Sequence, residues 1–303
     1  MAPANGGRTL KRRLRSIVHD AAEALSRRES FAPVPHPYER TKVLFVSGPP
    51  RSGTTALRNS IAAHRCVYST NRESNVVNDV LCAALRNCTL PDRKGNMVVS
   101  QHQYDGVFRR ALLQLLWPQA WDRPGAPRAL STYTHLEPHS AEYLAKVFPR
   151  ARIVYIVRNG IETVASAAAF ESFSLLPFEV LCRRWAMALK MAQWGEGRDN
   201  FNLVRHEHLR DAARAESTVR AMLQWAELGY DEQCLDVLRS TRYHPTHMAG
   251  ESPDDAQNLN RRAQRWRHWS PQQRETFVEI CRPAMEHFGY DIPWTDGATT
   301  EAA

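Results

Sequence analysis

The order of apolar and polar positions along the chain predicts an α/β domain. Two near-continuous apolar runs, 43–46 and 152–157, are typical of strands buried on both faces of a parallel sheet. Apolar residues recur at helical spacing over 74–90, 107–116, 179–194 and 271–288. Ser270 followed by Pro271 indicates the start of the last of these helices. We therefore predict a three-layer fold, a mainly parallel sheet with helices on both faces.

A basic extension precedes the predicted domain. Residues 8–28 have apolar side chains at helical spacing with basic residues between them, and a proline-rich stretch follows at 33–37. We expect an amphipathic helix that packs on its own domain or frays, and peripheral contact with an anionic membrane or a partner is the alternative. The predicted boundaries are 1–40 for the extension, 41–292 for the domain and 293–303 for a C-terminal tail.

A glycine-framed loop follows the first apolar run. Gly48 and Gly53 have the spacing of a Walker phosphate loop, and a strand that leads through such a loop into a helix directs backbone N–H groups at one anion. Thr54 stands where the Walker lysine belongs, so Arg51 is the only cation of the loop. Its planar guanidinium suits two parallel hydrogen bonds to a phosphate. The loop therefore predicts a site for a phosphoryl or sulfuryl group.

The second apolar run ends in a cation. In a nucleotide hydrolase with a phosphate loop, a neighbouring strand ends in an acidic residue that holds Mg²⁺. Here the residue is Arg158, and the carboxyl end of a strand lies in the usual ligand crevice of an open α/β sheet. Ser166, eight residues later on a predicted helix, is close enough for its hydroxyl to join the same site. This arrangement disfavours a metal ion and predicts a second anion.

These motifs resemble those of sulfotransferases that use phosphoadenosine phosphosulfate (PAPS). The segment 51–55 is similar to the loop that holds the 5′-phosphosulfate in tyrosylprotein-type enzymes. Arg158 and Ser166 are similar to the pair that binds the ribose 3′-phosphate. The segment 203–209 resembles the short strand before Glu-x-Leu, with His206 where an adenine-side tyrosine is common. The segment 265–269 resembles the basic, tryptophan-containing segment that closes over the nucleotide.

The resemblance extends from about residue 43 to about residue 290 and implies both a fold and an activity. The implied fold is that of the phosphate-loop sulfotransferases, which is similar to that of phosphate-loop nucleotide hydrolases. The implied activity is transfer of a sulfuryl group from PAPS to a hydroxyl or amine, with no metal required; a small molecule, glycan, lipid or peptide acceptor is compatible with the chain. The implied nucleotide-binding residues are Arg51, Ser52, Gly53, Thr54, Thr55, Arg158, Ser166, His206 and Arg265.

Two residues compete for the role of the general base that takes the proton from the acceptor. Glu73 matches, to within about one residue, the glutamate base of the tyrosylprotein-type enzymes. His135, within Thr-His-Leu, resembles the histidine base of the cytosolic small-molecule enzymes. We prefer Glu73. The alternatives are a surface carboxylate that pairs with Arg72 or Arg65 and, for His135, a structural histidine at a strand end.

One position departs from the family pattern. Both branches of the family place a lysine near Tyr133 to stabilise the bridging oxygen as the sulfuryl group leaves, and this chain has Thr132 and Tyr133 there. We predict that Arg51 stabilises the leaving group alone and count it as a catalytic residue. Because of the departure, a nucleotide-binding protein without catalysis is an alternative, as is a divergent nucleotide kinase.

The composition of the chain restricts its size class, its partners and its compartment. A chain of 303 residues with 43% hydrophobic content can bury one large core. The net charge of +8 suits an anionic nucleotide, a membrane or nucleic acid, and the motifs favour the nucleotide over nucleic acid. Six cysteines without paired metal-ligand spacing fit a reducing compartment. With neither a run of about 20 apolar residues nor the apolar centre of a signal peptide, we expect a cytoplasmic protein.

Overall fold

Strands and helices alternate along the chain, as the apolar pattern predicts. The computed structural model describes residues 41–73, 76–89, 101–117, 129–240 and 264–294, so the predicted N-terminal helix lies outside the described residues. The strands are β1 (Lys42–Ser47), β2 (Val67–Glu73), β3 (Ala129–Tyr133), β4 (Ala151–Val157) and β5 (Phe201–Arg205). The helices of the amino-terminal half are α1 (Thr54–Ala62), α2 (Val76–Thr89), α3 (Gln101–Leu116) and α4 (Pro138–Val147). They are followed by α5 (Gly160–Ala168), α6 (Glu171–Ser174), α7 (Phe178–Gly195), α8 (His206–Arg210), α9 (Ala215–Trp225), α10 (Glu232–Ser240), a 3₁₀ helix (Arg265–His268) and α11 (Pro271–His287).

The five strands form one parallel sheet. Their order is β2-β3-β1-β4-β5, and every neighbouring pair is parallel. The two strands predicted from apolar runs, β1 and β4, lie side by side, with Ser47 opposite Tyr155 near their carboxyl ends. The residues that follow these two strands therefore meet at the same edge of the sheet, which is the usual ligand edge of this architecture.

Helices cover both faces of the sheet. On one face, Leu44 and Val46 of β1 belong to a buried cluster with residues of α1, α9 and α10. On the other face, the ring of Phe45 packs against Trp117 after α3, with 6.4 Å between ring centroids. The Tyr155 hydroxyl of β4 donates a hydrogen bond of 2.6 Å to the Ala188 carbonyl of α7. The predicted three-layer fold is thus confirmed.

Side-chain caps fix the starts of two helices that matter for the site. Asn159 precedes α5, and its side-chain oxygen accepts a hydrogen bond of 2.9 Å from the Ile161 N–H. Ser270 caps α11, where its hydroxyl accepts from the Gln273 N–H at 3.1 Å and the Gln273 side chain accepts from the Ser270 N–H. The predicted start of the last helix is therefore confirmed. Within the described ranges, no helix combines the length and apolar content needed to cross a bilayer.

Candidate functional site

The loop after β1 lies directly against β4 and α8. A Cβ atom at Gly48 would lie 2.6 Å from the Ile156 carbonyl oxygen of β4, so a larger residue would collide with backbone. Gly53 has φ of 95° and would place a Cβ 2.5 Å from Cδ2 of His206. Both positions therefore require glycine, one for close approach and one for its left-handed backbone as well.

Internal hydrogen bonds hold the loop in this shape. The Ser52 hydroxyl donates to the Pro49 carbonyl at 2.6 Å, and the Ser52 N–H donates to the same oxygen at 3.2 Å. Helix α1 begins immediately after the loop, with buried Thr54 and exposed Thr55 as its first residues. The first N–H groups of a helix have no intrahelical partner and attract anions. Ser52 therefore shapes the loop, and the first N–H groups of α1 are of the kind that attract an anion.

Arg51 extends from the loop towards α5 and α6. Its backbone has φ of 69°, a left-handed conformation that is uncommon for residues other than glycine. The guanidinium lies over the Phe170 ring, 4.2 Å from the ring centroid. Its Nε donates to the Ser166 Oγ over 3.4 Å. The structure thus brings the cation of the loop next to the serine of the second predicted anion site.

Arg158, from the second predicted anion site, also contacts the phosphate loop. It follows β4 directly, and its Nη1 donates to the Arg51 carbonyl at 3.2 Å. Its Nε donates to the Glu162 carboxylate at 3.1 Å, and only 12% of its side chain is exposed. Three of the predicted binding residues, Arg51, Arg158 and Ser166, therefore lie together at the carboxyl edge of the sheet.

The charges around Arg158 leave the site with net positive charge. The Glu162 carboxylate contacts both Arg158 and Arg210, with 3.5 Å to the Arg210 Nη1. His206 is buried beside Gly53, and burial, together with the positive charges of Arg158 and Arg210, lowers the pKa of His206 well below its usual range. Its Nδ1 is buried without a hydrogen-bond partner among the described residues. A neutral imidazole with an unused ring nitrogen thus lies behind the loop.

The glutamate of the Glu-x-Leu motif anchors the turn that positions Arg158. One oxygen of Glu207 accepts from the Asn159 N–H at 2.9 Å, and the other accepts from the Tyr290 hydroxyl at 3.2 Å. Burial first, and then the Glu207 charge, raise the pKa of Tyr290, so this hydroxyl keeps its proton and remains a donor. Glu207 therefore joins the start of α5 to the end of the domain.

The two candidates for the general base lie on the β2 and β3 side of the site. Glu73 is the last residue of β2, and its backbone is opposite Tyr133 at the end of β3. Half-buried His135 follows two residues after Tyr133. The next N–H, that of Leu136, donates to the Ser47 hydroxyl at 3.2 Å, which ties this segment to the end of β1. Both candidates are thus at the same edge of the sheet as the arginines.

Arg65, one of the two alternative partners suggested for Glu73, contacts Asp231. Its Nε lies 3.0 Å from the Asp231 Oδ2, and its N–H donates to the same oxygen. These contacts lower the pKa of Asp231, first through the Arg65 backbone N–H. The Asp231 pairing links the segment after α1 to the start of α10.

Thr132 and Tyr133 stand where the family has a lysine, and neither of them carries a charge. Thr132 is fully buried, and its hydroxyl accepts from the Thr70 hydroxyl at 3.1 Å. Tyr133 is 7% exposed and belongs to the buried cluster on the α1 face. A neutral hydroxyl can donate one hydrogen bond but cannot neutralise a leaving group. Arg51 and Arg158 are two cations that the structure brings to the loop.

Arg265 lies on the 3₁₀ helix before α11. This helix packs against α5, which contains Ser166, and Arg265 is half-buried there. The ring of Trp266 lies 5.2 Å from that of Trp294, which holds the segment against the end of the domain. The structure thus places the predicted segment 265–269 next to the predicted 3′-phosphate helix.

Sequence reasoning missed the partners of the predicted cations. Glu162 follows Arg158 by four residues, across the start of α5, and the two side chains form an ion pair. That spacing could have identified Glu162 as a partner of Arg158. The contact between Phe170 and Arg51 joins distant parts of the chain, so no local pattern indicates it.

Comparisons with protein families and with known proteins both find sulfotransferases. A family model described as "Sulfotransferase family" matches residues 44–232. Protein-tyrosine sulfotransferase 1 of Danio rerio is 25% identical over 206 residues, which cover 64% of this chain and 55% of that protein. Protein-tyrosine sulfotransferase of Drosophila melanogaster is 24% identical over 205 residues, which cover 64% of this chain and 39% of that protein. The chain therefore spans about half, or less, of the length of these relatives.

Two solved structures share the fold. The sulfotransferase domain from the Synechococcus PCC 7002 olefin synthase has a TM-score of 0.53 at 16% identity, with 84% of this chain and 96% of that chain covered. The sulfotransferase domain from the curacin biosynthetic pathway has a TM-score of 0.51 at 15% identity, with coverage of 84% and 99%. At these identities the likeness concerns the fold alone.

Proposed function

The chain belongs to the sulfotransferase family, and from this premise we propose that it transfers a sulfuryl group from PAPS to a hydroxyl or amine of an acceptor. The observation that carries the proposal is the convergence of Arg51, Arg158 and Ser166 at the carboxyl edge of the sheet. A donor with phosphates at both its 3′ and 5′ positions needs cationic groups at two neighbouring points. The chain offers such groups within one hydrogen-bonded cluster.

The residues present fit such a nucleotide. Gly48 and Gly53 let the loop pack directly against Ile156 and His206, because a Cβ at either position would collide with these residues. When bound, PAPS supplies the sulfuryl group and leaves as adenosine 3′,5′-bisphosphate (PAP). We expect the N–H groups at the start of α1 to bind its 5′ end. Arg158 and Ser166 are the residues proposed to bind its 3′-phosphate.

Binding of a phosphate by Arg158 requires an exchange of partners. Glu162 now accepts hydrogen bonds from Arg158 and lies 3.5 Å from Arg210. If Arg158 turns to the phosphate, Glu162 keeps the guanidinium of Arg210 as its partner. The carboxylate is then not left unpaired, which would be costly in a partly buried site.

The transfer step needs a base and a cation. We propose that Glu73 accepts the proton that the acceptor oxygen loses as that oxygen bonds to sulfur, with His135 as the other candidate. Arg51 stabilises the bridging oxygen whose bond to sulfur breaks, because a positive charge favours the negative charge that develops there. The Glu73→Gln and His135→Asn variants separate the candidates. The base is the residue whose loss abolishes transfer and leaves PAP affinity unchanged.

Two measurements test the proposed function. Calorimetry with PAP tests the nucleotide site, and the absence of binding would overturn the proposal. Incubation with labelled PAPS and a metabolite extract, supplemented with tyrosine-containing peptides because the relatives are named for protein tyrosine, tests transfer. Label in an acceptor supports the enzyme. PAP binding without transfer to any acceptor favours the noncatalytic alternative.

A further inference from the structure

A cleft opens beside the phosphate loop. It is a shallow, solvent-open cleft lined by the loop residues Pro49 and Pro50, the apolar side chains Phe173, Leu181 and Trp185, and Arg184. We propose that this cleft binds the acceptor, and that the acceptor combines an apolar ring or chain with an anionic group that Arg184 recognises. This inference rests on the proposed function and specifies the chemistry of its second substrate.

The position of the cleft puts its occupant next to the transfer centre. Pro50 directly precedes Arg51 in the loop, so the cleft and the loop share a wall. The Phe173 ring lies 5.8 Å from the Phe170 ring, and Phe170 in turn lies under the Arg51 guanidinium. A molecule held between Pro50 and Phe173 is therefore close to the cation proposed to assist transfer.

The walls of the cleft suit an apolar body. Leu181 and Trp185 are buried, and the indole N–H of Trp185 already donates to the Arg158 carbonyl at 3.3 Å. The indole therefore offers the cleft only its apolar ring. Ligand sites typically combine walls of this kind with a small number of polar groups that orient the ligand. On this basis, we assign the apolar part of the acceptor to these walls.

The surface around Arg184 is also apolar. Val180 lies four residues before Arg184 and Met187 three residues after it, so all three project from the same side of α7. Val180 is 36% exposed and Met187 63% exposed. A single cation between exposed apolar side chains suits a ligand with an apolar body and one anionic end.

Arg184 is better placed to bind an anion than Arg183, the residue before it. Its guanidinium lies 5.2 Å from the Phe173 ring centroid, and it forms no ion pair with a carboxylate within the described parts of the chain. Arg183, the preceding residue, pairs with Glu179 at 2.6 Å. A guanidinium stacked on an aromatic ring keeps its edge free for a carboxylate, phosphate or sulfonate. Arg183 therefore provides a matched control for Arg184.

A pair of phenols tests the inference in the full-length chain. 6-Hydroxy-2-naphthoate and 2-naphthol share their rings and hydroxyl, and only the first is an anion. Their intrinsic fluorescence reports binding, and labelled PAPS reports transfer. For Arg184→Gln we expect about a tenfold loss of affinity for the naphthoate, as for a hydrogen bond between charged groups. We expect less than about a twofold change for 2-naphthol, and Arg183→Gln should change neither affinity.

The outcomes distinguish this inference from the proposed function. Equal losses for the two naphthalenes, or equal effects of Arg184→Gln and Arg183→Gln, would overturn the assignment of Arg184. Preferred binding of 2-naphthol by the unaltered chain would do the same. PAP calorimetry on the same samples is independent of the cleft. If PAP binds and the naphthoate preference is absent, the inference fails and the proposed function stands; without PAP binding, the proposed function itself fails.

Discussion

The guanidinium of Arg51 lies 4.2 Å from the centroid of the Phe170 ring. The contact joins the phosphate loop to the junction of α5 and α6. A cation over the face of an aromatic ring is stabilised by the ring's electron distribution, and a planar guanidinium also stacks on it. Together with the hydrogen bond to Ser166, this contact fixes the direction of the one cation that the loop contains. We infer that Phe170 is a positioning residue for Arg51.

The Phe170→Leu variant tests this positioning role. Leucine keeps an apolar contact and removes the aromatic face, so we expect kcat to fall about 3- to 30-fold, equivalent to ~0.5–2 kcal/mol of cation–π interaction. PAP affinity should change less than about twofold because leucine leaves the N–H groups of the loop in place. Phe170→Tyr retains the aromatic face and should restore kcat. Equal losses in the leucine and tyrosine variants would contradict a role for the ring face.

Arg152, near the start of β4, and Arg158, directly after its end, offer a matched pair. Arg158→Gln removes a charged donor from the proposed 3′-phosphate site, and we expect PAP to bind about 10- to 100-fold more weakly, from ~1.5–3 kcal/mol per hydrogen bond to a charged group. Arg152 pairs with Glu227 near the start of β4 and lies away from the loop. Arg152→Gln should therefore lower the melting temperature slightly without changing PAP affinity. Calorimetry that found the same loss of affinity in both variants would argue for a general effect of net charge.

Ser166 should contribute less than Arg158 to the same site. Its hydroxyl already contacts the Arg51 Nε, and it can offer a phosphate only a neutral donor. We expect Ser166→Ala to weaken PAP binding about 2- to 10-fold, in line with ~0.5–1.5 kcal/mol for a neutral hydrogen bond. Ser174→Ala, on the exposed helix α6, is the control and should leave binding unchanged. Calorimetry with both variants checks this order, and a larger loss for Ser166→Ala than for Arg158→Gln would reverse the assignment.

The central strands were predictable because of where they lie in the sheet. β1 and β4 are buried on both faces, so their sequences are continuous apolar runs. β2 lies at the edge of the sheet, and its last residues are polar, so no such run indicates it. The buried hydroxyls of Ser131 and Thr132 interrupt the apolar pattern of β3 in the same way. The apolar pattern therefore identified β1 and β4, which position the site, and left β2 and β3 unassigned.

For the candidate site, the residues could be predicted from the sequence, but their contacts with one another could not. Arg51 and Arg158 were predictable because loop chemistry and the strand end indicate anion-binding residues from the local sequence. Their contacts with each other and with Phe170 depend on the packing of α5 against the loop, which no local pattern specifies. The sequence suggested two separate anion sites. In the structure, the two sites share a boundary formed by the Arg51 backbone and side chain.

Arg51 and Tyr133 can be compared directly for the leaving-group role. Arg51→Ala removes the cation from the loop, and we expect kcat to fall about 10²- to 10³-fold, as for loss of one donor that stabilises developing charge. Tyr133→Phe removes a hydroxyl from a side chain that is 7% exposed and should lower kcat much less. Turnover of labelled PAPS with a saturating acceptor measures both. A larger loss in the tyrosine variant would assign the leaving group to Tyr133 and contradict the role of Arg51.

His206 makes the stability of the fold depend on pH. Burial, reinforced by the charges of Arg158 and Arg210, lowers the pKa of His206 well below the ordinary value of 6.5. Below about pH 6.5 the unfolded chain binds a proton that the folded chain excludes. This group's contribution to stability is therefore present above that pH and is lost as the pH falls towards the lowered pKa.

Melting temperatures between pH 7.5 and pH 5 measure this effect in the unaltered chain and in His206→Asn. We expect the melting temperature to fall more steeply with decreasing pH in the unaltered chain, because asparagine has no proton to exclude. Parallel curves for the two proteins would show that other groups set the pH dependence. They would also contradict a lowered pKa of His206.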